Sequence, residues 1–214
     1  MLIKEKVIKL AQTLEINMII GGPPCQGFSN KGKNLGLKDP RNFLFLEYIE
    51  IVRALKPEIF IIENVKNLIS CAKGYFLEEN GFVVKDFIQW VKTNPMPRNI
   101  HRRYVQDTEF ALWAVKKKAK WVFNKPKNEK YLRPLILKSP VVSGIERVKH
   151  PTQKSLALME KIISIHTNPN DIVLDPFMGS GTTGLACKRL ERNFIGIESE
   201  KEYFQIAKKR LNLF

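Results

Sequence analysis

The stretch from residue 172 to 190 constrains this chain more than any other. Ile172-Val173-Leu174 is a short apolar run, Asp175-Pro176-Phe177-Met178-Gly179-Ser180-Gly181-Thr182-Thr183 is a glycine turn, and residues 182–190 have helical spacing. A buried strand that enters such a turn and opens a helix lets a ligand approach the backbone at a helix N-terminus. Glu198 follows some 20 residues on, at the end of the apolar run Phe194-Ile195-Gly196-Ile197. An acid there can accept bonds from both hydroxyls of a ribose. No Gly-Lys-Ser/Thr follows the turn, so it is not a Walker-type phosphate loop. The plainer alternative is a tight turn with Glu198 as a solvated surface charge.

Upstream, residues 4–15 carry Ile8, Ala11 and Leu14 at helical spacing, and residues 17–20 form a short apolar strand ending at Gly21-Gly22-Pro23-Pro24. Residues 43–55 show the 3.6-residue stripe of an amphipathic helix, with Phe43, Leu44, Leu46, Ile49, Val52 and Leu55. Lys56-Pro57 stops that helix before the apolar run Ile59-Phe60-Ile61-Ile62. Strand, helix and strand in this order make a parallel crossover unit. Residues 82–92 and 104–115 read as an antiparallel pair of strands joined through Asn94-Pro95-Met96-Pro97. Residues 119–149 are basic, proline-interrupted and irregular. Helices are expected over 152–166, 182–190 and 201–211, with strands at 172–174 and 194–197. The whole is a doubly wound α/β sheet. Trp90, Trp113 and Trp121 are read as core, and His101, His150 and His166 show no metal-ligand spacing.

Charge points to the partner. The 214 residues carry a formal charge of +15, and residues 85–154 alone hold 17 basic against 5 acidic side chains. A polyanion fits, because each neutralised phosphate releases counterions. The competing reading is that Lys-rich turns keep a small protein soluble. The 13 Phe, 5 Tyr and 3 Trp exclude a disordered basic tail. Cys25, Cys71 and Cys187 are odd in number and far apart, against a disulfide framework. No apolar run approaches the roughly 20 residues that span a bilayer, and no signal-peptide block opens the chain. A cytoplasmic protein is expected.

Two family resemblances follow from the motifs. The glycine turn, preceded by Lys149-His150-Pro151-Thr152-Gln153-Lys154 and followed by Ile195-Gly196-Ile197-Glu198, resembles the amino-methylating DNA methyltransferases of restriction-modification systems, over residues 81–214. That resemblance implies S-adenosylmethionine as cofactor, held by Asp175, Phe177, Gly179, Gly181, Thr182 and Glu198. It also implies a Rossmann-like methyltransferase sheet in circularly permuted order, catalytic loop first and cofactor loop last, truncated at one edge. Gly21-Gly22-Pro23-Pro24-Cys25-Gln26-Gly27-Phe28-Ser29 and Glu63-Asn64-Val65, over residues 17–74, resemble instead the cytosine-5 DNA methyltransferases. That second resemblance implies Cys25 as the nucleophile that activates carbon-5, Pro23 and Pro24 as its loop, and Glu63 as the acid that holds the ring nitrogen and exocyclic amine.

The expectation is one methyltransferase domain over 1–214, with a catalytic-loop half (1–80), a hairpin and basic DNA-contacting insert (81–150) and a cofactor-binding half (151–214). Arg98, Arg102, Arg103, Lys116, Lys117 and Lys118 are the expected DNA contacts. Double-stranded DNA is the expected substrate, and a homodimer and a cognate restriction endonuclease are the other partners considered. The leading reading is methylation of cytosine carbon-5 through Cys25. Its alternatives are amino methylation of adenine or cytosine, and an inactive recombinant that binds DNA or cofactor.

Overall fold

The computed structural model describes residues 3–23, 43–64, 80–95, 101 and 104–212. Its centre is the strand β1 (Met18–Gly21), four residues buried on both faces. Ile19 packs on one side of the sheet, and Met18 and Ile20 on the other. A continuous apolar run of this kind suits a central parallel strand. The helix α2 (Phe43–Leu55) returns the chain to β2 (Ile59–Asn64), which lies parallel to β1 with Ile19 opposite Phe60. Phe45, Tyr48 and Val52 bury the helix stripe against the sheet beside α1 (Ile3–Ala11). Full burial of side chains this large contributes about 2–3 kcal/mol each. Tyr48 sends its hydroxyl into the sheet, where it donates to the Ile61 carbonyl at 2.9 Å. Lys56, at φ +47, ends the helix before Pro57.

Two long strands extend the sheet. β3 (Phe82–Lys92) and β4 (Thr108–Lys116) are antiparallel, and β4 is antiparallel to β2, with Ile59 opposite Val115. A short β5 (Leu135–Ser139) runs parallel to β3 at the outer edge. The chain then forms α3 (Leu156–His166), β6 (Ile172–Asp175), α4 (Thr182–Arg189), β7 (Asn193–Gly196) and α5 (Lys201–Arg210). The seven strands take the order β5-β3-β4-β2-β1-β6-β7. One apolar cluster fills the face under α1 and α2, and the other fills the face under α3 and α4.

The α/β sheet in permuted order is as expected, and the catalytic-loop strand β1 lies directly beside the cofactor strand β6, Met18 against Val173. Three details differ. The irregular region contains β5, because Ile136 finds a buried place and Trp90 Nε1 donates to Ser139 Oγ at 2.9 Å. α3 begins at Leu156 instead of residue 152, because the distant Glu146 carboxylate accepts the Leu156 amide at 2.7 Å while Ser155 stays extended. Trp121 is 40% exposed and Trp90 is buried, so the tryptophans do not form one core group. Among the described residues, β7 forms the sheet edge, and no helix is long and apolar enough to cross a membrane.

Candidate functional site

The chain leaves β1 toward β2 on one side and leaves β6 toward β7 on the other, so the topological switch point lies between β1 and β6. Ligands of open α/β sheets bind at that crevice, outside the carboxyl ends of the strands. A cavity of about 840 Å³ opens there, lined by Gly21 and Gly22 at the end of β1, Glu63 from β2, and Asp175 through Ser180 from the end of β6 onward.

The cofactor side is built on Asp175. Its carboxylate is buried, accepting the Thr183 hydroxyl at 2.7 Å and the Phe177 amide at 3.0 Å. Burial pushes its pKa up to about 6, against the pull of those two donors. Gly179 adopts φ +51, and a β-carbon there would lie 2.8 Å from His150 Nε2. Gly181, at φ +74, caps the N-terminus of α4. Only glycine takes both positions without strain or collision. Glu198 closes the turn, accepting the Gly179 amide at 3.0 Å and the Glu200 amide at 2.8 Å. Arg210, from α5, donates to the Ser180 carbonyl at 2.7 Å and to Thr182 Oγ1 at 3.0 Å. The His150 ring packs edge-on to Tyr203, its centroid 4.4 Å away, and burial holds its pKa below the ordinary value.

The opposite wall is charged. Lys154 Nζ lies 3.0 Å from Glu63 Oε1 and 2.8 Å from Glu109 Oε2, and Glu109 also pairs with Lys92. Burial alone would lower the Lys154 pKa, but the two carboxylates more than offset it and hold the ammonium well above its usual value. Glu109 sits below the usual carboxylate range; burial opposes this, and the two lysines overcome it.

Of the residues expected from sequence, Pro23, Glu63, Asp175, Phe177, Gly179, Thr182 and Glu198 line this one cavity, with Gly181 at the start of α4 beside it. Pro24, Cys25, Arg98, Arg102 and Arg103 lie outside the described residues. Lys116, Lys117 and Lys118 stand at the wrong end of the sheet to flank it. β4 runs antiparallel to β2, so the Lys116 amide bonds to the carbonyl of Glu58, five residues and roughly 16 Å of strand below Glu63. Sequence reasoning passed over Lys154, Glu109, Lys92 and Arg210. The signal available for Lys154 was its place in the Lys149-to-Lys154 segment leading into α3.

A family model described as a DNA methylase, the N6/N4 type, matches residues 16–209. The type II methyltransferase M2.LlaDCHI of Lactococcus lactis subsp. cremoris is 38% identical over 97% of this chain and 86% of its own length. The type II methyltransferase M2.DpnII of Streptococcus pneumoniae is 42% identical over 73% of this chain and 62% of its own length. Among solved structures, M1.HpyAVI in complex with SAM superposes with a TM-score of 0.83 at 66% identity, covering 99% of this chain and 97% of that one. The cytosine-N4-specific PvuII DNA methyltransferase shares the fold, with a TM-score of 0.71 at 23% identity over 92% of this chain and 79% of that one. These matches correct the expectation of a cytosine-5 enzyme. The family model takes in the Pro-Pro-Cys loop together with the cofactor turn, in the order in which the sheet uses them. The chain belongs to the N6/N4 DNA methylases, enzymes of the DNA methyltransferase family.

Proposed function

We propose that the chain methylates an exocyclic amine, N6 of adenine or N4 of cytosine, in double-stranded DNA, with S-adenosylmethionine as methyl donor. The observation that carries this reading is the single cavity in which the cofactor turn faces the charged wall of Glu63 and Lys154. The residues fit an adenosine-bearing cofactor. Glu198 offers a carboxylate for two hydroxyls, Phe177 and Ile197 offer an apolar wall, and Gly179 leaves the backbone open where a β-carbon would meet His150. The start of α4 at Thr182 would meet the cofactor's carboxylate. When bound, S-adenosylmethionine supplies a methyl group activated by its sulfonium charge.

The chain's own residues then bind and orient. The switch-point cavity takes a base swung out of the duplex, since chemistry on a base requires its removal from the stack. The wall of β2 and β4 presents acceptors to its amine. β3 ends and β4 begins at the cavity end of the sheet, and Arg98, Arg102 and Arg103 belong to the chain between them; we assign these three to phosphate contacts. The type II relatives support a cognate restriction endonuclease as the functional counterpart, with the enzyme acting on host DNA in the cytoplasm.

Mass spectrometry of nucleosides from a host expressing the chain tests the proposal. The expected result is N6-methyladenine or N4-methylcytosine above the vector control, unchanged in Cys25→Ala. Production of 5-methylcytosine that vanishes in Cys25→Ala would overturn it in favour of the carbon-5 reaction. Cofactor binding without any methylated base would overturn it in favour of a binding module.

A further inference from the structure

A base that swings out of the duplex leaves a gap in the stack, and the tendency of that gap to close draws the base back. A protein that fills the gap with an apolar side chain removes that pull, and isoleucine is among the residues that enter base steps in this way. Among the described residues, the two most exposed large apolar or aromatic side chains are Ile145 at 106% and Tyr104 at 99%, against 63% for Leu10, the next. A lone apolar side chain in water is common on protein surfaces. These two, however, share a place: both belong to the end of the sheet at which the cavity opens. Tyr104 lies four residues before β4, whose Glu109, Phe110 and Ala111 line the cavity. Ile145 follows β5, which runs parallel to β3 and leaves the sheet at the same end, where the Val141 amide donates to Asn94 Oδ1 at 2.7 Å.

Of the two, Ile145 has its backbone tied to the cavity wall. It forms the tip of the single 3-10 turn Gly144–Glu146, closed by the Arg147 amide on the Gly144 carbonyl at 3.0 Å. Glu146 anchors the turn twice: its carbonyl accepts Gln153 Nε2 at 2.7 Å, and its carboxylate accepts the Leu156 amide at 2.7 Å. Gln153 is buried and lines the cavity, so the turn is fixed to that wall while the side chain at its tip stands wholly in solvent. A β-branched side chain has few rotamers to lose on insertion. Arg147, also exposed, puts a cation beside it for a flanking phosphate.

We propose that Ile145 is the wedge that enters the base stack where the target has swung out, and so holds that base in the cavity. The inference rests on the reading that this cavity takes a flipped base, and it names the residue that keeps the base there. In the gap the side chain buries, against the bases on either side, the apolar surface that the free protein leaves in water. That gain exists only in the complex with DNA, so removing the side chain should slow methyl transfer while sparing fold and cofactor affinity.

Replacing the wedge from the DNA side tests this. Sequencing of methylated DNA from an expressing host gives the target site. Two duplexes carry it, one with the ordinary partner opposite the target base and one with a pyrene nucleotide there, whose flat ring fills the gap by itself. Single-turnover methyl transfer from S-adenosylmethionine is measured on both for wild type, Ile145→Ala, Ile145→Leu and Tyr104→Ala, with melting temperature and calorimetric cofactor affinity for each protein. Ile145→Ala should be slower by about tenfold on the ordinary duplex and within about twofold of wild type on the pyrene duplex. Ile145→Leu, which keeps the apolar bulk, should stay within about threefold of wild type on both. Any loss in Tyr104→Ala should be equal on the two duplexes.

Ile145→Ala within about twofold of wild type on the ordinary duplex would overturn the inference. So would a loss equal on both duplexes, or a fall in melting temperature, since a side chain wholly in solvent does not support the fold. Recovery on pyrene by Tyr104→Ala and not by Ile145→Ala would pass the wedge to Tyr104. Each of these outcomes leaves amino methylation standing. A wild type that methylates only carbon-5 of cytosine would refute amino methylation, and the same duplexes then judge the wedge on that base. A wild type that makes no methylated base refutes both.

Discussion

Two buried groups titrate in opposite senses over the same pH range, and separating them gives a demanding test of the core. Asp175, below the cofactor turn, is raised from 3.8 to about 6, first by burial and then by the Glu198 charge, against its Thr183 and Phe177 donors. His166, at the end of α3, is lowered from 6.5 to about 4 by burial, which a bond to the Val122 carbonyl only partly opposes. Between about pH 4 and 6 the folded chain keeps an Asp175 proton that the unfolded chain has released. This contribution to stability is present below pH 4 and lost as pH rises through 6. A tenfold difference in proton affinity is worth about 1.4 kcal/mol, so the rise at Asp175 amounts to about 3 kcal/mol. For His166 the unfolded chain takes up a proton below pH 6.5 that the folded chain refuses until about pH 4. That contribution is present above pH 6.5 and lost as pH falls, again by about 3 kcal/mol. In the wild type the two slopes nearly cancel. Asp175→Asn should therefore expose the histidine slope, with stability rising by about 3 kcal/mol from pH 4 to 6.5. His166→Phe should expose the aspartate slope, falling by a similar amount, and the double variant should return to the wild-type slope. Urea unfolding followed by far-ultraviolet circular dichroism at four pH values measures this, all other groups being common to the four proteins. In a chain of this length about 3 kcal/mol corresponds to roughly 6–12 °C in Tm. Single variants whose stability runs parallel to the wild type across the window would refute the reasoning.

Gly179→Ala should weaken S-adenosylmethionine binding by about 10-fold in calorimetry, since the left-handed backbone costs about 1–2 kcal/mol and the methyl group meets His150. The triple variant Lys116→Gln/Lys117→Gln/Lys118→Gln should retain methylation within about twofold, because these lysines lie a strand length below the cavity; a loss above tenfold would show that DNA reaches that end. Cys187 should resist alkylation in the native protein, because it is fully buried and burial raises its thiol pKa to about 12. Peptide mass mapping before and after unfolding reads it directly.

The parallel half of the sheet was legible because its signals are local. The stripe from Phe45 to Val52, the stop at Lys56-Pro57 and the glycine turn each declare themselves within a dozen residues, and together they locate the switch point. The strand β5 was hidden because it lies between Pro134 and Pro140 and forms only by pairing with β3, some 45 residues away. The ion network was hidden for a related reason. Glu63 and Glu109 share Lys154 only because β4 lies antiparallel to β2 and α3 starts late, neither of which is written near those residues. The same strand direction carried Lys116, Lys117 and Lys118 away from the cavity. A basic cluster beside a strand says that charge is present, and the direction of that strand decides which end of the sheet receives it.

The central pair β1 and β6 also sets the order of assembly. The Ile172 amide bonds to the Asn17 side chain across 155 residues of sequence, at the seam on which the cavity depends. During synthesis, β1 must wait with one edge unpaired until most of the chain has left the ribosome. Folding of this kind is slow and exposes the nascent chain to wrong partners. The cavity therefore closes only once β6 has paired with β1, when most of the chain has already been made.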